Sequence, residues 1–416
     1  MQKLAFACTS ILVLLLSACG KDNAYLVETN PNDGLEFLAT IDSLTLFNGI
    51  SHFSATLPSY LVGMGMTPPA INDEKATLGR VLFYDKNLSA DNKISCASCH
   101  RQDKAFSDVT AFSTGVFGQQ TLRNSSPLAN TVNFQAHYQA LGGLQPLLFW
   151  DHRAQSVPEQ STQTFENPLE MGMPMSGVLE RVRNLNYYPY LWKQAYGHFE
   201  PTQDELLDAL AEFVGAMSAH NSKFDRSMIQ TAGTIPVNTD NKPIIILDTL
   251  IFHVYYGDTT LVVDTQIIIL PFIVPGLDFA ETRGLRTFVE NCSNCHSPIR
   301  PFQDVFAACN GLDMDYADEG LGALTGNPKD MGVFKSPSLR NITLTAPYMH
   351  DGRFKTLDEV VEFYSSGVQP HPNLHPTVTR NLHLSPTEKA DLIAFLHTLT
   401  DKSIAQDDAF SNPFRK

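Results

Sequence analysis

The pentapeptide Cys-x-x-Cys-His occurs twice in this chain, at residues 96–100 and 292–296, and specifies more chemistry than any other pattern in it. Two thiols followed by an imidazole at this spacing are typical of haem c, where both thiols form thioethers on the porphyrin and the histidine ligates iron from one face. We therefore predict two covalent haem sites, formed by Cys96, Cys99 and His100 and by Cys292, Cys295 and His296.

Zinc is the alternative ligand, because two Cys-x-x-Cys pairs can together form a four-thiolate site. The two pairs lie far apart in the sequence, and a histidine follows each of them immediately. This arrangement favours two haems over one shared zinc ion.

The first residues predict export. Lys3 gives a positive start, residues 4–16 are apolar, and Ser17 and Ala18 precede Cys19, which is the pattern of a lipoprotein signal peptide cleaved before that cysteine. The apolar run is too short to span a bilayer comfortably. We expect a signal peptide over 1–18, lipid on Cys19, and a lipid-anchored tether and leader over 19–50, with the body on the periplasmic side of the cell envelope.

The cysteine count and the net charge narrow the class of protein. Of the seven cysteines, Cys8 lies in the signal, Cys19 takes lipid and four take haem, so Cys309 remains alone and is expected to be a buried small hydrophobe. The net charge of -15 argues against nucleic acid as a partner and would suit a basic electron-donor protein.

Helices are predicted immediately before both haem motifs. One begins at Asn72, and the other covers residues 279–291 with Gly284 and Phe288 on it. Capping boxes predict three further amphipathic helices, starting at Thr202-x-x-Glu205, Thr356-x-x-Glu359 and Ser385-Pro386-x-Glu388.

Residues 234–274 contain apolar β-branched runs that favour strands. We expect a mainly α fold, with two cytochrome c-type haem domains and a β-rich insertion between them. The predicted N-terminal haem domain covers 51–230, the insertion 231–278, and the C-terminal haem domain 279–416. A small structural hairpin is the simplest form of this insertion, and contact with lipid or a partner is the alternative.

From about residue 72 to residue 400, apart from the insertion at 231–278 and a smaller one near 134–146, the chain resembles the bacterial dihaem cytochrome c peroxidase family, in its MauG-like branch. The segments that carry the resemblance are Ile94-Ser95-Cys96-Ala97-Ser98-Cys99-His100, Phe106-Ser107-Asp108, Arg123-Asn124, Phe149-Trp150-Asp151-His152-Arg153-Ala154, Asn167-Pro168-Leu169-Glu170-Met171, the second haem motif, Phe334-Lys335-Ser336-Pro337-Ser338-Leu339-Arg340-Asn341 and Thr345-Ala346-Pro347-Tyr348-Met349-His350-Asp351-Gly352.

The resemblance implies that hydrogen peroxide binds at the first haem. Glu170 matches the carboxylate that moves a proton between the peroxide oxygens, and Gln160 matches an amide of the same pocket. Without the family, Glu170 would be interpreted as a surface charge and Gln160 as an ordinary helix-surface residue.

At the second haem, the resemblance implies an iron that is ligated on both faces. The matching position holds Met in the peroxidase branch and Tyr in the MauG branch, and this chain has Tyr364 there. Its spacing with Leu357, Val360 and Val361 places it on the apolar helix face, which is also what a core tyrosine would show. Met349 is nearer the motif but matches a non-ligand position.

The resemblance also implies an electron path and a calcium site. Trp150 matches a tryptophan between the two haems, although a lone tryptophan is usually a core residue. Asn130, Thr345 and Pro347 match oxygen ligands of a calcium ion between the domains.

The chain departs from the peroxidase pattern near the first haem. Typical members have a second histidine shortly after the first motif that blocks the peroxide face, whereas no histidine lies between His100 and His137 here. We expect an open first haem at rest, with His137 and His152, which replaces the usual glycine, as alternative caps.

The leading hypothesis is a lipid-anchored dihaem c-type peroxidase that reduces hydrogen peroxide to water with electrons from an exported donor such as a small cytochrome c. One alternative is MauG-like oxidation of a partner protein through high-valent haem. The other is a non-catalytic dihaem electron carrier in which both irons are capped.

Overall fold

The computed structural model describes residues 51–53, 57–63, 66–130, 148–233, 244–253, 260–270, 274–296, 307–378 and 381–414. Residues 231–233, 244–253 and 260–270 are described by their backbone alone. The predicted signal peptide, Cys19 and the tether lie outside these residues, as does His137. Within them, no helix combines the length and apolar character needed to cross a membrane.

The first half of the chain is helical. In the described residues its helices are α1 (Ser59–Gly63), α2 (Asp73–Tyr84), α3 (Cys96–Cys99), α4 (Val157–Glu166), α5 (Met175–Asn184), α6 (Tyr188–Tyr196), α7 (Gln203–Ala216) and α8 (Lys223–Gly233). Asn72 caps α2, because its side chain accepts a hydrogen bond from Lys75 N at 2.8 Å. The predicted capping box of Thr202 and Glu205 opens α7. Both predicted helix starts are therefore confirmed.

The second half is also mainly helical, with α9 (Phe279–Asn291), α10 (Gly322–Thr325), α11 (Leu357–Glu362) and α12 (Pro386–Thr398). The predicted capping boxes open α11 and α12. Directly after α11, residues Phe363–Gly367 form a turn of π-helix. Periodicity did not predict this turn, which moves Tyr364 off the regular α-helical spacing.

Sheet is sparse in this mainly α fold. Strands β1 (Ile244–His253) and β2 (Thr260–Leu270) form an antiparallel hairpin, with Ile244 opposite Leu270. The short strands β3 (Ala307–Ala308) and β4 (Phe334–Lys335) also pair antiparallel. A β-rich insertion is not supported, because the described residues between the haem motifs contain one two-stranded hairpin, which is the small form that the sequence favoured.

A glycine lets two helices cross at very short distance in each half. At the crossing of α2 and α7, a Cβ on Gly79 would lie 1.9 Å from Ala209 O. At the crossing of α9 and α12, a Cβ on Gly284 would lie 1.9 Å from Asp391 O. Each crossing belongs to one of two hydrophobic cores, and in each the first helix leads towards a Cys-x-x-Cys-His motif.

The two cores exchange segments of chain. Tyr60 and Phe224, from the first half, pack in the second core. Ile404 and Phe410, near the C-terminus, pack in the first core, where Tyr84 Oη donates to Phe410 O at 2.7 Å. The domain boundaries proposed from sequence follow chain order and do not include this exchange, and they stay a prediction.

We predict that Gly284→Ala lowers the melting temperature and costs about 1–3 kcal/mol of unfolding free energy, because the added methyl group would overlap the carbonyl of Asp391. Gly215→Ala is the matched control. Gly215 lies on helix α7, and a Cβ there would contact only the flexible end of Ile71, with 3.6 Å to its Cδ1. Thermal and urea unfolding of the haem-loaded protein measure both. Equal stabilities of the two variants would contradict the close crossing.

Candidate functional site

The first motif holds the imidazole of His100 in one orientation. The side chain of Ser98 accepts from Ser95 N at 3.0 Å and so caps α3, and His100 N donates to Cys96 O at 2.9 Å at its end. His100 Nδ1 lies 2.8 Å from Phe106 O. A carbonyl can only accept, so Nδ1 carries the hydrogen and the Nε2 lone pair stays available to a metal.

The second motif repeats this geometry. His296 N donates to Cys292 O at 2.9 Å, and His296 Nδ1 lies 2.9 Å from Pro337 O and 3.2 Å from Ser336 Oγ. Ser336 Oγ also donates to Cys295 O at 2.7 Å. Burial lowers the pKa of His296 to about 4, so its ring is neutral and able to ligate.

The four motif cysteines fit haem c and do not fit one shared zinc ion. Cys96 packs against the first core and Cys292 against the second, so the two pairs occupy different halves of the molecule. Burial raises the pKa of both thiols to about 12, which keeps them uncharged. Each pair therefore stands beside a single imidazole with a free lone pair, as covalent haem attachment requires.

Cys309, the remaining described cysteine, is 1% exposed, which confirms it as a buried residue. Its Sγ lies 3.4 Å from His371 Nδ1 and 3.8 Å from Tyr316 Oη.

A cavity of about 200 Å³ opens beside the second motif, and we call it the second cavity after that motif. Cys292, Cys295 and His296 border it, and Tyr364 and Met349 also line it. Asn124 and Trp150 extend the lining from the first half of the chain, so the cavity adjoins both halves.

Tyr364 is one of the hydroxyl-bearing residues that line this cavity. It lies in the π-helical turn, and its hydroxyl accepts a hydrogen bond from Asn310 Nδ2 at 3.3 Å. Burial raises the pKa of Tyr364 to about 12, so without a metal the side chain is a neutral phenol.

Glu170 belongs to the surroundings of the first motif. It follows α4 in a turn, where Asn167 Nδ2 donates to Glu170 Oε1 at 2.7 Å. Burial raises the pKa of this carboxyl, and hydrogen bonds from Thr164 and Asn167 partly oppose the rise. Burial raises the pKa of the Cys96 and Cys99 thiols, and the charge of Glu170 adds to that rise.

Gln160 lies on the helix that leads to Glu170. It is half-buried on α4, one turn before Thr164, and residues four apart share a helix face. Among the described residues, its side chain makes no hydrogen bond to Glu170.

Trp150 connects the two halves. Its indole Nε1 donates to Asn124 O at 2.8 Å, and its own carbonyl accepts from Lys335 N at 2.7 Å. The ring centroid lies 6.4 Å from that of His350, and His350 stacks on Phe334 at 3.8 Å. The indole is therefore fixed at the wall of the second cavity.

Two residues of the predicted calcium site, Thr345 and Pro347, line the second cavity. Asn130 instead uses both ends of its amide on the main chain of Ala219, with Oδ1 accepting at 2.8 Å and Nδ2 donating at 3.1 Å. The calcium site stays a prediction.

His152 has a left-handed backbone with φ of 60°, and its Nε2 is buried without a hydrogen-bond partner among the described residues. Burial and, to a smaller extent, the charge of Lys335 lower the pKa of His152 to about 3, so the ring is neutral. Its role as an alternative cap of the first haem stays open.

Sequence reasoning missed the groups that orient these side chains. The carbonyls of Phe106 and Pro337 carry no side-chain signal at all. Asn167 had one, since it stands three residues before Glu170 in the motif already noted. Asn310 had none, because it lies 54 positions from the tyrosine that it contacts.

Comparison with known proteins identifies relatives over most of the chain. The family described as di-haem cytochrome c peroxidase matches residues 73–232. The methylamine utilization protein MauG of Paracoccus denitrificans is 30% identical over 372 residues, which cover 80% of this chain and 89% of that protein. The cytochrome-c peroxidase IdrP1 of a Pseudomonas species is 30% identical over 374 residues, covering 80% and 83%.

A solved structure with a similar fold is described as a MauG-like protein associated with microbial copper homeostasis. It superposes with a TM-score of 0.67 at 27% identity, covering 87% of this chain and 99% of that one.

We predict that replacing Cys96 and Cys99 together by alanine removes one of two covalently attached haems, because this pair is separate from the pair at 292–295. Cys309→Ala, a change at the buried cysteine outside both motifs, serves as the control and should keep the full haem content. The pyridine haemochrome assay and the intact mass measure attachment. Unchanged haem in the double variant would refute the first site.

Proposed function

Because this chain belongs to the family of di-haem cytochrome c peroxidases, which includes the MauG proteins, we propose that it reduces hydrogen peroxide to water with electrons from an exported donor. In this proposal Cys96, Cys99 and His100 hold the peroxidatic c-type haem, and Cys292, Cys295 and His296 hold the electron-transfer haem. The bound haems supply the iron where peroxide is reduced and the redox group that passes electrons on.

In this proposal Glu170 is the group that accepts and donates protons. Reduction of one peroxide to two waters takes up two protons and two electrons, and breaking the oxygen-oxygen bond needs a proton on the leaving oxygen. Burial raises the pKa of Glu170 towards the range where a carboxyl both accepts and donates a proton. Asn167 and Thr164 hold the carboxyl in place, and Gln160, on the same helix face as Thr164, is proposed to hold peroxide or water beside it.

Tyr364 has a ligand role at the second haem site in this proposal. Tyr364 lines the cavity beside His296, and we propose that its oxygen would ligate the iron of the second haem together with His296. An anionic oxygen ligand favours oxidised iron, whereas a thioether favours reduced iron. Met349 lines the same cavity, and we propose that it is a packing residue.

Trp150 is the proposed link between the two haems. Its indole is held by Asn124 O and its main chain by Lys335 N, so the ring stays at the wall of the second cavity. A π-system fixed there is suited to couple the redox groups on either side.

The observation that carries the proposal is that the two motifs have unequal partners. A carboxyl with a raised pKa accompanies the first, and a phenol accompanies the second. The proposal requires one open iron and one capped iron, which an electron carrier does not have.

We predict that electron paramagnetic resonance of the resting ferric protein gives one high-spin and one low-spin haem signal, and that Tyr364→Phe alters the low-spin signal because the axial oxygen is lost. Met349→Leu, in the same cavity, is the control and should leave it intact. Two low-spin signals in the wild type would instead support the electron carrier.

We predict that Glu170→Gln slows peroxide reduction by about 10²–10⁴-fold, the usual contribution of a general acid-base group. Both haem spectra should remain nearly unchanged, since the amide keeps the size of the side chain. Glu180→Gln, at an exposed position of α5, is the control. Steady-state peroxide consumption measures both variants, and full activity of Glu170→Gln would refute the proton-transfer role.

The second candidate function is oxidation of residues in a partner protein. The phenol in the second cavity favours it, as does the MauG-like structure that is 27% identical and covers nearly all of its own chain. Stopped-flow spectroscopy with reduced small cytochrome c distinguishes the two candidates. A peroxidase oxidises two ferrocytochromes per peroxide. A protein-oxidising enzyme leaves them reduced and modifies aromatic residues of its partner, which mass spectrometry detects.

The proposed setting is the periplasmic side of the cell envelope, with lipid on Cys19 as the anchor. The net charge of -15 suits a basic donor protein such as a small cytochrome c. A calcium ion held by Asn130, Thr345 and Pro347 is part of the same proposal.

A further inference from the structure

The side-chain amide of Asn310 contacts two side chains of the second cavity, Tyr364 and Met349. Its Nδ2 lies 3.3 Å from Tyr364 Oη and 3.8 Å from Met349 Sδ. An amide nitrogen carries two hydrogens, so it can donate to the oxygen and to the sulfur at once.

The main chain fixes which end of this amide faces the cavity. Leu312 N donates to Asn310 Oδ1 at 3.2 Å, and Tyr316 Oη donates to the same oxygen at 3.4 Å. A backbone N–H is always a donor, so the amide oxygen must face Leu312 and the nitrogen must face Tyr364.

The loop around Asn310 is tied to the segment that follows the π-helical turn. Gln369 N donates to Gly311 O at 2.8 Å, and His375 N donates to Cys309 O at 3.0 Å. Gly311 has φ of 71°, and a Cβ there would lie 2.7 Å from Gln369 O, so the loop approaches this segment as closely as glycine allows. Asn310 and Tyr364 are therefore held in a fixed relation by backbone on both sides.

We propose that Asn310 is a positioning residue that donates a hydrogen bond to the oxygen of Tyr364 in the haem-loaded protein and thereby raises the reduction potential of the second haem. The inference rests on the proposed function, because it takes Tyr364 as the axial ligand. A hydrogen bond to an anionic ligand withdraws charge from the donor atom, which weakens its preference for ferric iron. The potential then lies higher than a free phenolate would set it.

Two variants remove the hydrogen bond in different ways. Asn310→Leu has a similar shape and no donor. Asn310→Asp keeps the acceptor for Leu312 N, loses the amide donor and adds a negative charge that also favours ferric iron, and the loop stays anchored even if the leucine variant folds poorly. Asn184→Leu, at the exposed end of α5, repeats the chemical change at a position away from both motifs.

The experiment is a spectroelectrochemical titration of the haem-loaded protein, with electron paramagnetic resonance of the ferric state. We expect a lower potential of the low-spin haem and shifted low-spin g values in both Asn310 variants, with the wild-type result in Asn184→Leu and an unchanged high-spin signal throughout. Wild-type potential and g values in the Asn310 variants would overturn the inference if Tyr364→Phe still changes the low-spin signal. An unchanged signal in Tyr364→Phe would overturn the axial role of Tyr364, and this inference with it.

Discussion

One hydrogen bond at each motif fixes the orientation of the histidine ring, and the metal-binding capacity of each half depends on it. The Nδ1–H of each motif histidine is directed at a main-chain carbonyl, that of Phe106 in one half and that of Pro337 in the other. The ring can then neither rotate nor change tautomer, and its other nitrogen has one direction in which to bind. Because main-chain carbonyls orient both histidine rings, the side chains around the two sites are free to differ. The two halves share a motif and a glycine helix crossing, and they diverge beyond that point.

That divergence is electrostatic as well as chemical. Burial acts on a carboxyl near the first motif and on a phenol near the second, and in both cases it favours the uncharged form. The carboxyl keeps compensating donors in Asn167 and Thr164, so its pKa rises only part of the way that burial alone would take it. The phenol accepts from the amide of Asn310, which also lies 3.8 Å from the sulfur of Met349. One site is thus arranged around an exchangeable proton, and the other around a donor atom.

The sequence predicted the elements better than the contacts between them. The helices before both motifs and the three capping boxes follow from local rules, and the structure has them where expected. The π-helical turn at Tyr364 was not predictable, because it replaces one hydrogen-bond spacing by another without a marker residue. The sequence indicated the strand-forming runs at 244–270. Their pairing register in one hairpin was not predictable from composition, because it depends on contacts between the two strands. Contacts such as that of Asn310 with Tyr364 arise from tertiary folding, which no local pattern encodes.

Residues 404–410 pack in the first core, and this contact affects when the first half can finish folding. Gln102, directly after the first motif, donates to Ile404 O at 3.0 Å and to Asp407 O at 2.7 Å, and the Phe106 ring lies 6.2 Å from that of Phe410. The loop that orients His100 is therefore completed by residues that are translated after the second motif. The first half cannot reach its final form until residues 404–410 are available, so its folding depends on chain that follows the second half.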